Sequence, residues 1–366
     1  MAAETSGRAN LRQALELAGA HFINLVEIGI LKTFIDNKVF DRIPEDGDIS
    51  FQELANTGES EVALLERFCN YLVAAEILES PSPGRVAHTD RSRAYKTGEI
   101  PAGFIQHVFN FLLRPVACWP AYFDENGLAA PKTVNKIPLG LATGYPDSDL
   151  YGVLDKEPVL AKLFNGAMRG SAKIYSLNGV YSFDWMKNAS SGERPAVVDI
   201  GGGSGVALQD IVKDNRFISP ESCAVFDLPT VIEDTKSERN GDLHSLQLIG
   251  GSMFEALPKS ISNSLVYTFR RVLNDFPDED VVNALEQVRK ACAPDSRVLI
   301  IEEMLHPNRS KFSIAQDIFV MNFGGKRRSE SMFRDLAAKT GFHVSSVVED
   351  KATDFGVVEL VPVSEA

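Results

Sequence analysis

The sequence predicts an α/β protein in two parts, a helical, winged-helix-like N-terminal half and a C-terminal half built on a doubly wound parallel sheet. Three observations carry this. Short apolar runs alternate with helical stretches only after Arg194. One of those runs leads directly into the glycines Gly201, Gly203 and Gly205. Before residue 100, helical periodicity gives way to a single hairpin-like pattern. A chain of 366 residues, 44% hydrophobic and 24% charged, has the composition of a globular protein with two cores, and disordered, collagen-like and coiled-coil classes fall away. With 37 basic and 50 acidic residues the net charge is −13, so phosphate backbones and anionic lipid are repelled, and neither nucleic acid nor a membrane is the expected partner.

Each element follows in order. From Asn10 to Phe34 the apolar residues Leu11, Leu15, Leu17, Ala18, Phe22, Leu25, Val26 and Ile30 recur at helical spacing on more than one face. Such a helix must be covered on two sides, either inside its own domain or by a second subunit. Ser50 with Glu53 three residues on has the form of a capping box, and amphipathic helices continue from Ser60 to Ala75. After the breakers Pro81 to Gly84, the segments Arg85–Thr89 and Arg93–Tyr95 read as the two strands of a hairpin. Without a Lys/Arg stripe, this winged-helix-like module is expected to dimerise and not to bind DNA. From Ile100 to Trp185 aromatic residues accumulate, including Phe104, Phe109, Phe111, Trp119, Tyr151, Phe164 and Tyr175, as ordinary core or as a lid over an apolar ligand. The expected division is therefore residues 1–100, 101–185 and 186–366.

In the C-terminal half, strands are predicted at Ala196–Ile200, Cys223–Phe226, Ser264–Phe269 and Arg297–Ile301, with a helix over Glu279–Ala291. Ligands of such sheets bind at the carboxyl ends of the strands. The loop Asp199-Ile200-Gly201-Gly202-Gly203-Ser204-Gly205 has Val206 where a dinucleotide fingerprint needs glycine. The GxGxG form with an acid just ahead suits the amino-acid end of S-adenosylmethionine. Asp227 closes the next strand, 26 residues after Gly201, where a carboxylate can accept hydrogen bonds from ribose hydroxyls. The cysteines Cys69, Cys118, Cys223 and Cys292 are far apart and read as free thiols, no metal site is expected, and the absence of a leader pattern or an uninterrupted apolar span places the protein in the cytoplasm.

These residues resemble, in order, the motifs of the plant and fungal small-molecule O-methyltransferases: Val197 to Gly205, Phe226-Asp227-Leu228-Pro229, Gly250-Gly251-Ser252-Met253-Phe254, Arg270 to Asp280, and Gly324-Gly325-Lys326. The likeness covers residues 185 to 366 and extends more loosely to an N-terminal dimerisation domain. It implies a Rossmann-like class I methyltransferase fold, an intertwined homodimer, and S-adenosylmethionine held by Asp199, Gly201, Gly203, Gly205, Asp227, Leu228, Ser252, Met253 and Arg270. Met253 would pack on the adenine ring. Ser252 replaces the family's usual Asp as acceptor of the adenine amino group, at a cost of about 1 kcal/mol.

The family's base is a His in Leu-His-Asp-Trp, and here Leu273-Asn274-Asp275-Phe276 places Asn274 at that position. A carboxamide cannot act as a general base near neutral pH, and losing such a base costs about 10² to 10⁴ in rate. Of the two glutamates that orient the His, Glu303 is kept and Arg327 replaces the other. This pattern resembles the methyltransferase-like fungal pericyclases of alkyl-pyridone biosynthesis, of leporin and pyridoxatin type. That resemblance implies dehydration of an apolar alcohol to a quinone methide with a conjugated carbonyl, then an Alder-ene or hetero-Diels-Alder closure. Arg270, Lys326 and Arg327 would lend positive charge to the carbonyl, and His107 the acid/base group. The alternatives are an O-methyltransferase acting on a phenolic or polyketide-derived hydroxyl, and a non-catalytic partner that binds S-adenosylmethionine.

Overall fold

The structure is a computed structural model that describes residues 2–172, 177, 179–189, 194–237, 245–350 and 355–363. Tyr175 and His244 lie outside the described residues. The chain forms two compact units, Met1–Leu113 with Lys162–Ala167, and Arg114–Ala161 with Met168–Ala366. Residues Arg114 to Ala161 thus pack with the second unit.

The first unit opens with the helix Ala2–Asp36. Its last turns bury Ile30, Leu31, Phe34 and Ile35 against Phe40, Leu54, Leu72 and Val86. Further up the same helix, Leu15, Leu17 and Phe22 are 64%, 66% and 69% exposed, so the chain's own core leaves this middle stretch uncovered. The stretch Leu11–Asp36 is also long and apolar enough by composition to cross a membrane, although it contains no uninterrupted apolar run. Ser50 caps the helix Phe51–Asn56 through the expected reciprocal bonds with Glu53. A small antiparallel sheet joins β1 (Asp48–Ser50), β2 (Leu78–Glu79) and β3 (Arg85–His88) in the order β1-β3-β2. The hairpin therefore pairs β3 with β2, correcting the expected partner Arg93–Tyr95. Thr89 starts a short helix instead, because its side chain accepts from the Ser92 amide and removes the following residues from the extended state.

The second unit carries seven strands: β4 (Val197–Ile200), β5 (Cys223–Asp227), β6 (Gln247–Gly250), β7 (Val266–Arg270), β8 (Arg297–Glu303), β9 (Phe342–Glu349) and β10 (Phe355–Pro362). Their order is β6-β5-β4-β7-β8-β10-β9. The four predicted strands are present, but the sheet is mixed: β10 runs antiparallel to both β8 and β9. Its one inward acid, Glu359, is held by Tyr181, Arg297 and Ser345, which makes a buried carboxylate tolerable there. The helix Asp278–Ala291 has three acids in its first turn and Arg289 and Lys290 in its last, matching the helix dipole. The chain builds β5 and β6 on one side of β4 and β7 and β8 on the other. The carboxyl ends of β4 and β7 therefore part at a topological switch point, with Ile200 beside Phe269.

Candidate functional site

At that switch point β4 turns sharply. Gly201, Gly203 and Gly205 have φ of +69°, +56° and +75°, left-handed values that disfavour any side chain. The glycines differ in what surrounds them. A Cβ on Gly201 would come within 2.7 Å of Val272 Cγ2, and one on Gly202 within 2.8 Å of Asp199 Oδ2, whereas a Cβ on Gly203 would meet nothing within 4 Å. Gly201 and Gly202 are thus glycine because the protein packs there, and Gly203 faces open space. Gly205 begins the helix Val206–Asp214 without any side-chain cap, leaving the first amides of that helix to a ligand.

Asp227, at the end of β5, borders the same space. Its Oδ2 accepts from the Gly203 amide and its Oδ1 from the Leu228 amide, each at 2.7 Å. Burial pushes its pKa up while those two amides pull it down. Each oxygen keeps a lone pair, which is what two vicinal ribose hydroxyls require. The Gly251 amide bonds to the Asp227 carbonyl at 2.9 Å, bringing Ser252, Met253 and Phe254 alongside. The Ser252 hydroxyl accepts from the Phe254 amide at 3.3 Å, so one lone pair of that oxygen is already in use. Asp199 lies beneath the loop, 1% exposed; its Oδ1 accepts from Thr268 at 2.5 Å and its Oδ2 has no hydrogen-bond partner among the described residues. Burial raises its pKa to about 6 against the pull of Thr268 and Arg270. Asp199 therefore supports the loop from below.

Arg270 ends β7 next to Gly201, and burial lowers its pKa while Asp199 raises it. It lines a cavity of about 340 Å³ together with Tyr181, Phe183, Asp184, Ala207 and Asp210. This cavity runs along the helix Val206–Asp214 and is not the space in front of Gly203, since neither Gly203 nor Asp227 lines it.

Asn274 sits in the short helical turn Leu273–Asp275 just after β7 and is 8% exposed. Its amide donates to Glu302 Oε1 at 2.9 Å, and its carboxamide reaches Asp275 Oδ1 at 3.5 Å. Three groups staple this turn. Arg271 holds a left-handed φ of +55° ahead of it. Gly325 lies flush on it, since a Cβ there would be 2.0 Å from the Asn274 carbonyl oxygen. Arg328, fully buried, donates to the carbonyls of Leu273 and Phe276 at 2.8 Å each and to Asp278 at 3.0 Å.

Two of the three cations expected around Asn274 are held by carboxylates. Arg327 forms a buried ion pair with Glu303, and Lys326 pairs with Asp278 at 2.6 Å. Because consecutive residues of β8 face opposite ways, Glu303 meets Arg327 while Glu302 turns to Asn274. Sequence reasoning missed Glu302, Asp275 and Arg328. Burial raises Glu302 and Asp275 to about 7, with Arg328 lowering the first and Arg271 the second. Their signal in the sequence is the pair Glu302-Glu303 and the place of Asp275 directly after Asn274. His107 belongs to the first unit. It is 9% exposed, with its ring centroid 4.8 Å from that of Phe111 and 6.3 Å from that of Phe164, just ahead of a π-helical turn Phe109–Leu113. Among the described residues no three potential ligands gather to hold a metal.

A glycine cradle with an open face, a ribose acid and a flanking methionine at the switch point of a seven-stranded sheet with one reversed strand define a class I methyltransferase fold. The O-methyltransferase domain matches residues 130–343 and the O-methyltransferase dimerisation domain residues 21–98. The chain belongs to the O-methyltransferase family. It is 53% identical over 359 residues to methyltransferase phm5 from a Pyrenochaetopsis species, covering 97% of this chain and 98% of that one. Its fold matches the crystal structure of OxaC with a TM-score of 0.86 at 21% identity, over 95% of this chain and 87% of that chain. It also matches LepI in complex with S-adenosylmethionine, with a TM-score of 0.81 at 18% identity, over 98% and 94%. The open face at Gly203, the spare lone pairs of Asp227 and the uncapped helix amides fit S-adenosylmethionine, which this cradle binds.

Proposed function

We propose that the protein transfers a methyl group from S-adenosylmethionine to a small-molecule acceptor, a phenolic or polyketide-derived hydroxyl acidic enough to ionise readily. S-adenosylmethionine supplies an electrophilic methyl on a sulfonium. The chain's residues bind and orient: Asp227 takes the ribose, the cradle at Gly203 admits close approach, and Asn274 offers hydrogen bonds to the acceptor without basicity. The observation that carries the reading is the intact cradle beside a base position filled by Asn274. The cofactor chemistry is provided for, and the acceptor must need only a weak base. The ion pair of Arg327 with Glu303 removes much of the cationic field on which a pericyclic reading rests. The relative at 53% identity is named a methyltransferase.

Incubation of the purified protein with S-adenosylmethionine and a series of phenols and enols of falling pKa tests the proposal. S-adenosylhomocysteine and methylated product should appear preferentially with the more acidic acceptors. Cofactor binding without turnover across the series would reject it. The second reading, a pericyclase of pyridone alkaloid type, draws on the same Asn274 and on Arg270. It requires that the alcohol precursor of an alkyl pyridone give an isomer ratio changed by the protein.

A further inference from the structure

We propose that Thr235 is a positioning residue of the cofactor cradle: its hydroxyl holds the Gly203 carbonyl so that the loop already has its binding conformation before S-adenosylmethionine arrives. This inference rests on the cofactor cradle and not on methyl transfer. Thr235 lies on the helix Pro229–Ser237, which begins just after Asp227 and Leu228, and is 6% exposed. A threonine hydroxyl on a helix commonly donates to the carbonyl one turn back. Thr33 and Thr143 do so, at 2.8 Å to the carbonyls of Gly29 and Leu139. Thr235 instead turns outward and donates to the Gly203 carbonyl, 32 positions away, at 3.2 Å.

The loop needs this bond because packing restrains its glycines unequally. Val272 stands where a Cβ of Gly201 would go, and the Asp199 carboxylate where one of Gly202 would go, whereas nothing lies within 4 Å of that position at Gly203. Gly203 nevertheless keeps a φ of +56°, one of several regions that a glycine visits at little cost. Two side chains of one strand–helix unit supply the restraint that packing does not. Asp227 Oδ2 accepts from the Gly203 amide at 2.7 Å, which holds the peptide plane ahead of the Gly203 Cα. Thr235 holds the plane that follows it. Because each peptide unit is rigid, holding both planes sets φ and ψ of the residue between them. Asp227 therefore serves the ribose and the loop together, and Thr235 completes the grip from the far end of the same helix. A ligand that meets a preformed cradle does not have to order it, so the ordering cost falls on folding and not on binding.

The test uses the full-length protein with Thr235→Val, which keeps the shape and removes the hydroxyl, and Thr235→Ser, which keeps the hydroxyl. Calorimetric titration with S-adenosylhomocysteine should show T235V binding about 3- to 10-fold more weakly than wild type, and T235S within about twofold of it. Hydrogen exchange read by mass spectrometry on a peptide covering residues 201–206 separates positioning from bulk stability. In cofactor-free T235V that peptide should exchange faster than in wild type, while peptides from β7 and β8 keep their wild-type rates. Saturating S-adenosylhomocysteine should return it to the rate of the wild-type complex. Wild-type affinity and exchange in T235V would overturn the assignment, and so would a loss of affinity in T235S as large as that in T235V. Faster exchange throughout the sheet alongside weaker binding would also overturn it, because Thr235 would then serve stability alone. Should T235V fail to fold, Thr235→Ala takes its place with the same outcomes expected. If the wild type binds no S-adenosylhomocysteine, the cofactor reading falls on its own, and exchange in the free protein still decides whether Thr235 holds the loop.

Discussion

At the scale of single residues, the buried pair of Arg327 and Glu303 shows how one substitution changes the meaning of a site. In isolation, Arg327 at a position expected to hold glutamate reads as a cation aimed at substrate. In the folded chain its side chain is 3% exposed and its charge is spent on Glu303. Removing one partner of such a pair leaves a buried charge uncompensated, so Arg327→Met is expected to destabilise the protein by about 3–5 kcal/mol. The double variant Arg327→Met with Glu303→Met should recover most of that loss, since a well-packed apolar pair is often as stable as the ions it replaces. Urea denaturation midpoints of the two variants decide this, and a single variant as stable as wild type would contradict it.

At the scale of elements, the strand–loop–helix unit around Gly201 to Gly205 separates glycines kept for folding from those kept for binding. Both Gly201 and Gly203 have positive φ, so alanine at either strains the backbone by about 1–2 kcal/mol. Only at Gly201 does the new methyl group also collide with Val272. Gly201→Ala should therefore lower the melting temperature more than Gly203→Ala does. Gly203→Ala, whose methyl projects into the open face of the cradle, should mainly weaken S-adenosylmethionine. Calorimetric titration alongside thermal melting distinguishes the two, and equal losses of stability would count against this division. The turn carrying Asn274 belongs to the same scale: Arg328 and the flush contact of Gly325 hold it by backbone carbonyls, independently of which side chain stands at the base position.

At the scale of the whole molecule, the first helix buries side chains, among the described residues, only in its last turns. Leu11, Leu15, Leu17, Phe22 and Leu25 are each more than half exposed. The dimerisation domain matched over residues 21–98 supports a homodimer, and we propose that a second subunit covers this surface. Each large apolar side chain so covered contributes about 1.5–3 kcal/mol. The double variant Leu15→Asp with Phe22→Ser is expected to convert the dimer to monomer in light scattering. An unchanged mass would place the subunit contact elsewhere.

Much of this protein was legible in its sequence. The alternation of apolar runs with helical periods, the glycines at 201, 203 and 205, and Asp227 one strand further on are local patterns, so the α/β class and the cofactor cradle follow from a few adjacent residues. The capping box at Ser50 is read the same way and forms as expected. What the sequence could not carry is partnership between distant segments. That β10 runs against β8, that Glu302 and not Glu303 meets Asn274, and that Lys326 and Arg327 are paired all depend on contacts across at least 24 positions of chain. Charge and basicity are set by burial and by the nearest opposite charge, both properties of the packed protein, so the raised Asp275 beside Asn274 emerges only once the tertiary structure brings Arg271, Glu302 and Tyr151 around it.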